Sequence, residues 1–318
     1  MNYIDSIKNK KKIAIIMGTY NGARYISEQI DSIMNNSCQE FILHVCDDGS
    51  TDDTLKIVDD YMHMYPNKII IHKNQKNLNT INNMILWTQI IDSEYYMFCD
   101  QDDVWDKKKI EKSYSFIRKI EKENMGKPVV IFTDAEVVDG KLEIIHKSFQ
   151  KYESLSPYKL GLEDLLMENK LLGCSVMFNK KTQIMLQVMK EIPHEIRMHD
   201  WWVGLIGAAF GKVAYLEDSL LKYRQHGGNV VGSMSVLKYL FVNITKINEQ
   251  KKILYSIFRQ GGKFLEIYRE YLTCEEIQYL TTFSTIEKQP FFKRKYMFIK
   301  NRYRKTGFIK NVGMFILV

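Results

Sequence analysis

Apolar positions along the chain gather in short, nearly unbroken runs: KKIAIIM (11–17), EFILHVC (40–46), NKIIIH (67–72), EYYMFC (94–99) and PVVIFT (128–133). Runs of this length, rich in β-branched and aromatic residues, predict buried strands. Between them, GARYISEQIDSIMNN (22–36), TDDTLKIVDDYMHMY (51–65), TINNMILWTQII (80–91) and DKKKIEKSYSFIRKIEKE (106–123) repeat their apolar residues at helical spacing. Alternation of strands that are apolar throughout with amphipathic helices predicts an α/β fold. Its sheet is Rossmann-like and mostly parallel, with helices on both faces. Residues 134–170 read as irregular, and GCSVMF (173–178) and KVAYL (212–216) read as further strands. From about Ser233 the pattern turns helical, aromatic and basic. The chain shows no internal repeat and no low-complexity linker.

Three polar clusters fall at strand ends: GTYNG (18–22), DDGSTDD (47–53) and DQDD (100–103). Ligands of parallel sheets bind beyond the carboxyl ends of the strands, so these clusters are expected to face one site. The apolar run VGLIGAAF (203–210) falls far short of the roughly 18 residues of a spanning helix.

Composition changes this picture in one respect. With 45% hydrophobic and 26% charged residues, the chain of 318 has an ordinary globular make-up. Its formal charge of +7, however, is uneven. Residues 288–318 hold nine Lys/Arg and no Asp or Glu, which leaves 36 basic and 38 acidic residues elsewhere, a net of −2. The body is therefore not a general polyanion binder, and nucleic acid is not expected as a partner. Five cysteines without a CxxC pair read as reduced thiols of a cytosolic protein. Only IAIIM follows the N-terminal lysine cluster, so no signal peptide is expected there.

Several signatures drop out. Neither GxGxxG nor GxxxxGK[ST] follows the first strand. HEIRMH (194–199) spaces its histidines five apart, on different faces of a helix, which is wrong for a zinc protease. DQDDVW has Val104 and Trp105 where a calcium loop needs a ligand and a turn glycine. What remains is Asp100, Asp102 and Asp103 at the end of a buried strand. Crowded carboxylates repel one another and lose hydration, a cost offset when a hard cation sits among them. The alternative for one of them is helix capping by Asp103 or Asp106. For DDGSTDDT (47–54) the alternative is a turn followed by a helix cap from Ser50 or Thr51. Tyr20 alone reads equally as a packed aromatic.

Taken together, GTYNGARYISEQIDSI, VCDDGSTDDT, KNLNTINNM, FCDQDDVW, LLGCSVMFN, MHDWWVGLI and YRQHGGNVVG resemble an inverting family 2 glycosyltransferase of the GT-A fold. Within that family the resemblance is to the rhamnosyltransferase-like branch of bacterial surface polysaccharide synthesis. It covers roughly residues 12–232 and implies a catalytic domain of 1–232, followed by a helical, basic–aromatic region of 233–318. It further implies that Thr19 and Tyr20 line the base, and that Asp47 and Asp48 contact base or ribose. Asn21, Asn77, Asn83 and Gln101 are further candidates for the donor. Asp100 and Asp102 match the DxD motif that holds Mg²⁺ or Mn²⁺ on the diphosphate, with Asp103 near the donor sugar. Asp200 matches the general base, its alternative being a helix cap. Trp201, with Trp202, offers a platform for a sugar ring or plain core packing. His226 is a candidate for metal or diphosphate.

Asn79 stands where the family has Gly, and Asn is among the side chains that tolerate a left-handed backbone. No Trp follows an Arg, so the QxxRW motif of processive members is missing and single-sugar addition is expected. The implied donor is dTDP-L-rhamnose or another hexose on UDP, and the implied acceptor is a glycan or lipid-linked glycan. The other readings are a catalytically inert nucleotide-sugar-binding membrane adaptor and a sugar nucleotidyltransferase, whose GxGTR-like loop GTYNG is not. The basic–aromatic tail suits an anionic membrane surface, giving a cytoplasmic, peripheral protein. A solvated face packed on the catalytic domain is its alternative.

Overall fold

The computed structural model describes residues 12–225 and 247–318. The predicted strands form as β1 (Ile13–Thr19), β2 (Phe41–Asp47), β3 (Ile69–Lys73) and β4 (Tyr95–Cys99), joined by β5 (Val104–Trp105). They continue with β6 (Val129–Val138), β7 (Ile144–His146), β8 (Val176–Asn179) and β9 (Lys212–Arg224). One nine-stranded sheet runs in the order β3-β2-β1-β4-β8-β6-β9-β5, with β7 on β6. The β3-β2-β1-β4 half is wholly parallel, and so is the long β6/β9 ladder. Between these, β8 runs antiparallel to both neighbours.

Register explains why three sequence-distant loops meet. Thr19 pairs with Asp47 at one end of β1, and Met17 pairs with Cys99 beside it. The residues that follow these strand ends therefore emerge at one sheet edge, as expected for a parallel sheet. Alternation along β1 sends Ile13, Ile15 and Met17 into one core and Ala14 and Ile16 into the other, because helices cover both faces.

The expected boundary near residue 232 lies outside the described residues. Beyond it come helices Ile247–Tyr268, Cys274–Ser284, Phe291–Lys300 and Phe308–Leu317. They do not stand apart from the sheet. Phe258, Phe264, Tyr268, Phe283 and Tyr303 join Trp202, Leu205 and Ile206 in one continuous core, and the Phe264 ring meets Trp202 edge-on at 5.3 Å. All five cysteines are free.

Candidate active site

The loop after β1 is fixed by its neighbours. The Gln101 side chain accepts from the Tyr20 N–H at 3.0 Å and donates to the Tyr20 carbonyl at 3.1 Å, which locks the two strand-end loops together. Asn21 takes a left-handed backbone (φ 48°), and its Oδ1 accepts from the Thr51 N–H at 2.8 Å. Asp47 holds the turn after β2: its carboxylate accepts from the Gly49 and Ser50 N–H groups and from the Thr19 hydroxyl. That turn needs glycine, since Gly49 sits at φ 89°. Asp48 accepts from the Leu78 N–H at 2.7 Å and from Asn74 at 2.8 Å, while Asn77 donates to the Asp48 carbonyl. Asn83 donates to the Cys46 carbonyl and accepts from Asn74. Asn79 adopts φ 66°, the left-handed backbone that Asn tolerates.

The carboxylates after β4 divide by direction. Asp100 and Asp102 line a cavity of about 610 Å³ at the sheet edge, together with Gly18, Thr19 and Tyr20. Asp103 turns the other way. It is fully buried, its Oδ1 accepts from the Arg224 N–H at 3.1 Å, and its Oδ2 has no partner. Burial and the neighbouring Asp102 and Asp200 charges push Asp100 up to about 7. Burial, with Asp102 and Asp100 nearby, drives Asp103 well above the carboxylate range. Beneath them lies the fully buried Lys109 ammonium, lowered to about 8 by desolvation and without a hydrogen-bond partner. Candidate ligand atoms of Asp100, Asp103 and Cys174 lie within 4.8 Å of one another. The Cys174 thiol is pushed far up by burial and adjacent carboxylates, so it stays protonated and is a poor ligand for a hard cation. Asp100 and Asp102, crowded carboxylates that both line the cavity, fit a site for a hard cation.

Opposite this edge, the helix His199–Phe210 carries Asp200 in its first turn. The N-cap is Met198, and Asp200 lies two residues further on. Its Oδ2 accepts from Asn169 at 3.1 Å and its Oδ1 from the Trp201 N–H at 2.7 Å. Burial raises its pKa, partly offset by His199 and these two donors. The indole of Trp201 donates to the Leu165 carbonyl, and its cavity-facing edge is nearly buried.

Of the expected site residues, Thr19, Tyr20, Asp48, Asn83, Asp100, Gln101, Asp102, Asp200 and Trp201 line this one cavity. Asn21, Asp47, Asn77 and Asp103 do not. Asn21, Asp47 and Asn77 spend their polar atoms on the turns just described, and Asp103 is aimed into the protein interior. His226 lies outside the described residues. Residues with no expected role also converge here. Arg224, almost wholly buried, donates to the Asp102 carbonyl at 2.8 Å, the Gly140 carbonyl at 2.8 Å and Glu28 at 2.5 Å, tying the carboxylate loop to the first helix. Its only sequence signal is its place at the head of RQHGGNVVG. Asn169, Arg197, Lys305 and Lys310 complete the opposite wall.

Comparison with known proteins agrees with this geometry. Residues 14–166 match the model of glycosyl transferase family 2. The dTDP-rhamnosyl transferase RfbG of Shigella flexneri is 26% identical over 226 residues, covering 68% of this chain and 74% of its own length. Among solved structures, Staphylococcus aureus TarS (residues 1–349, with UDP-GlcNAc) superposes with a TM-score of 0.56 at 16% identity, covering 96% of this chain and 90% of that one. The mannosyltransferase PcManGT of Pyrobaculum calidifontis, with GDP-Man and Mn²⁺, gives 0.52 at 11% identity, over 92% and 73%. Sheet, strand-end cavity and matched region together identify residues 14–166 as a glycosyl transferase family 2 domain carried on a GT-A fold.

Proposed function

We propose that the chain transfers a single sugar, with inversion, from a nucleoside diphosphate sugar to a glycan or lipid-linked acceptor in bacterial surface polysaccharide synthesis. The first candidate donor is dTDP-L-rhamnose, on the name of the Shigella relative. One observation carries the reading: the Asp100/Asp102 pair and Asp200 line a single cavity, with the Asp200 charge near enough to raise the Asp100 pKa. On this reading residues 1–232 form the catalytic unit, and 233–318 complete its wall and meet the membrane.

Thr19, Tyr20, Asp48 and Asn83 are placed to take the nucleotide at the sheet edge. Asp100 and Asp102 are the residues that would hold a divalent cation, Mg²⁺ or Mn²⁺, whose contribution is to stabilise charge on the departing diphosphate. Mn²⁺ is bound in the Pyrobaculum mannosyltransferase. Asp200 takes the proton of the acceptor hydroxyl as that oxygen attacks the anomeric carbon, and the bond electrons leave with the diphosphate. Asn169 and the Trp201 N–H orient the base, and burial makes its carboxylate a better proton acceptor than a solvated one.

The test is calorimetric. With Mn²⁺ present, a panel of dTDP-, UDP- and GDP-sugars should yield one preferred donor. Asp102→Asn should lose at least about tenfold in that affinity while its melting temperature holds. Unchanged, metal-dependent affinity in Asp102→Asn would remove the pair from the donor site.

A further inference from the structure

On the Asp200 side, the cavity carries a second feature that sugar transfer by itself does not explain. Arg197, Lys305 and Lys310 all line it. Lys310 is spoken for, because its ammonium bonds Glu168 at 3.1 Å and the Glu153 carbonyl at 3.1 Å. Lys305 is different. Its ammonium has no ion-pair partner among the described residues, and burial lowers its pKa, with Glu168 opposing and Lys310 and Arg197 reinforcing that shift. Arg197 is likewise depressed by burial. One of its terminal nitrogens donates to Ser256, but its Nε has no hydrogen-bond partner. The carboxylates on this wall are Glu153 and Glu168: Glu168 is committed to Lys310 and the Thr306 N–H, and Glu153 is pushed up by burial.

Two partly buried cations on one cavity, Lys305 with no ion-pair partner among the described residues and Arg197 with only Ser256 and the Trp201 ring beside its guanidinium, are costly unless an anion joins them. Position says which anion. Chain position ties this wall to the proposed base: Arg197 precedes Asp200 by three residues, and Asn169, which bonds Asp200, follows Glu168 directly. We infer that Arg197 and Lys305 form a phosphate-binding subsite for the acceptor, which would therefore carry a phosphoryl group near the hydroxyl that is glycosylated. The inference rests on Asp200 marking the acceptor end. It assigns the chain's own C-terminal segment, through Lys305, to acceptor selection.

A fluorinated phosphate monoester, 4-fluorophenyl phosphate, followed by ¹⁹F NMR, tests the subsite with the full chain. The phosphate could belong to the acceptor or to the donor, so the titration is run without nucleotide and again with saturating UDP and Mg²⁺. Binding should persist with UDP present and should be absent for 4-fluorophenol. Lys305→Gln should weaken the probe about tenfold or more and leave UDP affinity unchanged, with Lys305→Arg restoring the probe. Displacement of the probe by UDP, or a fall in UDP affinity in Lys305→Gln, would assign these cations to the donor diphosphate and overturn the inference. Failure of the wild-type chain to bind the probe at millimolar concentration would overturn it as well, independently of how any variant folds. UDP failing to bind the wild type would strike the donor assignment instead, and the probe arm would still score the cationic wall.

Discussion

Asp200 combines three properties that a general base needs: a fixed orientation, a raised pKa and a face on the cavity. Asp200→Asn keeps the side-chain shape but turns one of its two accepting oxygens into a donor, a local change that should leave nucleotide affinity intact. Transfer should fall by roughly 10²–10⁴-fold, the usual worth of a positioned base. Initial rates with the preferred donor check this, and native-rate transfer would move the role to another acid. Asp100 and Asp102 were legible from their crowding at a strand end, and Asp200 only through the family resemblance. Their supports were not. Asn169 reaches Asp200 across 31 residues and Arg224 reaches Glu28 across 196, and no periodicity in one sequence reports such pairs. Asp103 misled for a related reason. Adjacent carboxylates look alike in sequence, and only the backbone direction after β4 separates the one facing the cavity from the one buried over Lys109.

At the scale of elements, β2 and β3 are joined by more than their ladder. His44 on β2 and His72 on β3 share a hydrogen bond of 3.0 Å between Nδ1 and Nε2, and the His72 ring lies tilted against Trp87 at 4.2 Å. One ring must accept, so at least one imidazole is neutral. Burial first, and His72 second, lower His44 to about 4, and burial lowers His72 too. In the unfolded chain each histidine titrates near 6.5. Between those values the unfolded chain binds more protons than the native one, so stability is intact above pH 6.5 and is lost as pH falls towards 4. The loss attributable to His44 is at most about 3 kcal/mol. Melting curves from pH 4 to 8 should show it, and His44→Gln should flatten the slope; an unaltered slope would clear the pair of any role. The elements themselves were largely legible, with two instructive exceptions. β6 runs on to Val138 although Thr133, Asp134 and Glu136 end its apolar run, because the Asp134 carboxylate is satisfied inside by the Ala135 and Gln150 N–H groups and the Tyr215 hydroxyl. The reversed direction of β8 left no mark, since a strand buried on both faces reads the same either way.

For the molecule as a whole, the C-terminal helices turn one side inward and another outward. Phe298, Tyr303, Met314 and Val318 lie in the core. Phe292 and Phe308 are 84% and 82% exposed, with Tyr296, Ile299 and Ile316 also exposed beside lysines and arginines. Among the described residues no helix is long and apolar enough to cross a membrane. An exposed basic–aromatic face suits an anionic bilayer surface, each cation near it contributing about 1 kcal/mol. Full-length protein should sediment with phosphatidylglycerol vesicles at low salt and be released at high salt. Phe292→Ser with Phe308→Ser should lower the bound fraction several-fold without a change in melting temperature, whereas equal partitioning would assign membrane contact elsewhere. Cutting the chain after Glu287 is a poor substitute, because it also strips Tyr303 from the core.

The same arrangement has a consequence for synthesis. Lys305 and Lys310 leave the ribosome about 100 residues after Asp200, roughly 5–20 s later at ordinary elongation rates. During that interval a nascent chain displays the carboxylate pair, yet Trp202 and Ile206 lack their helical cover and the cavity lacks a wall. The cavity wall is therefore complete only once the helix Phe308–Leu317 has been made.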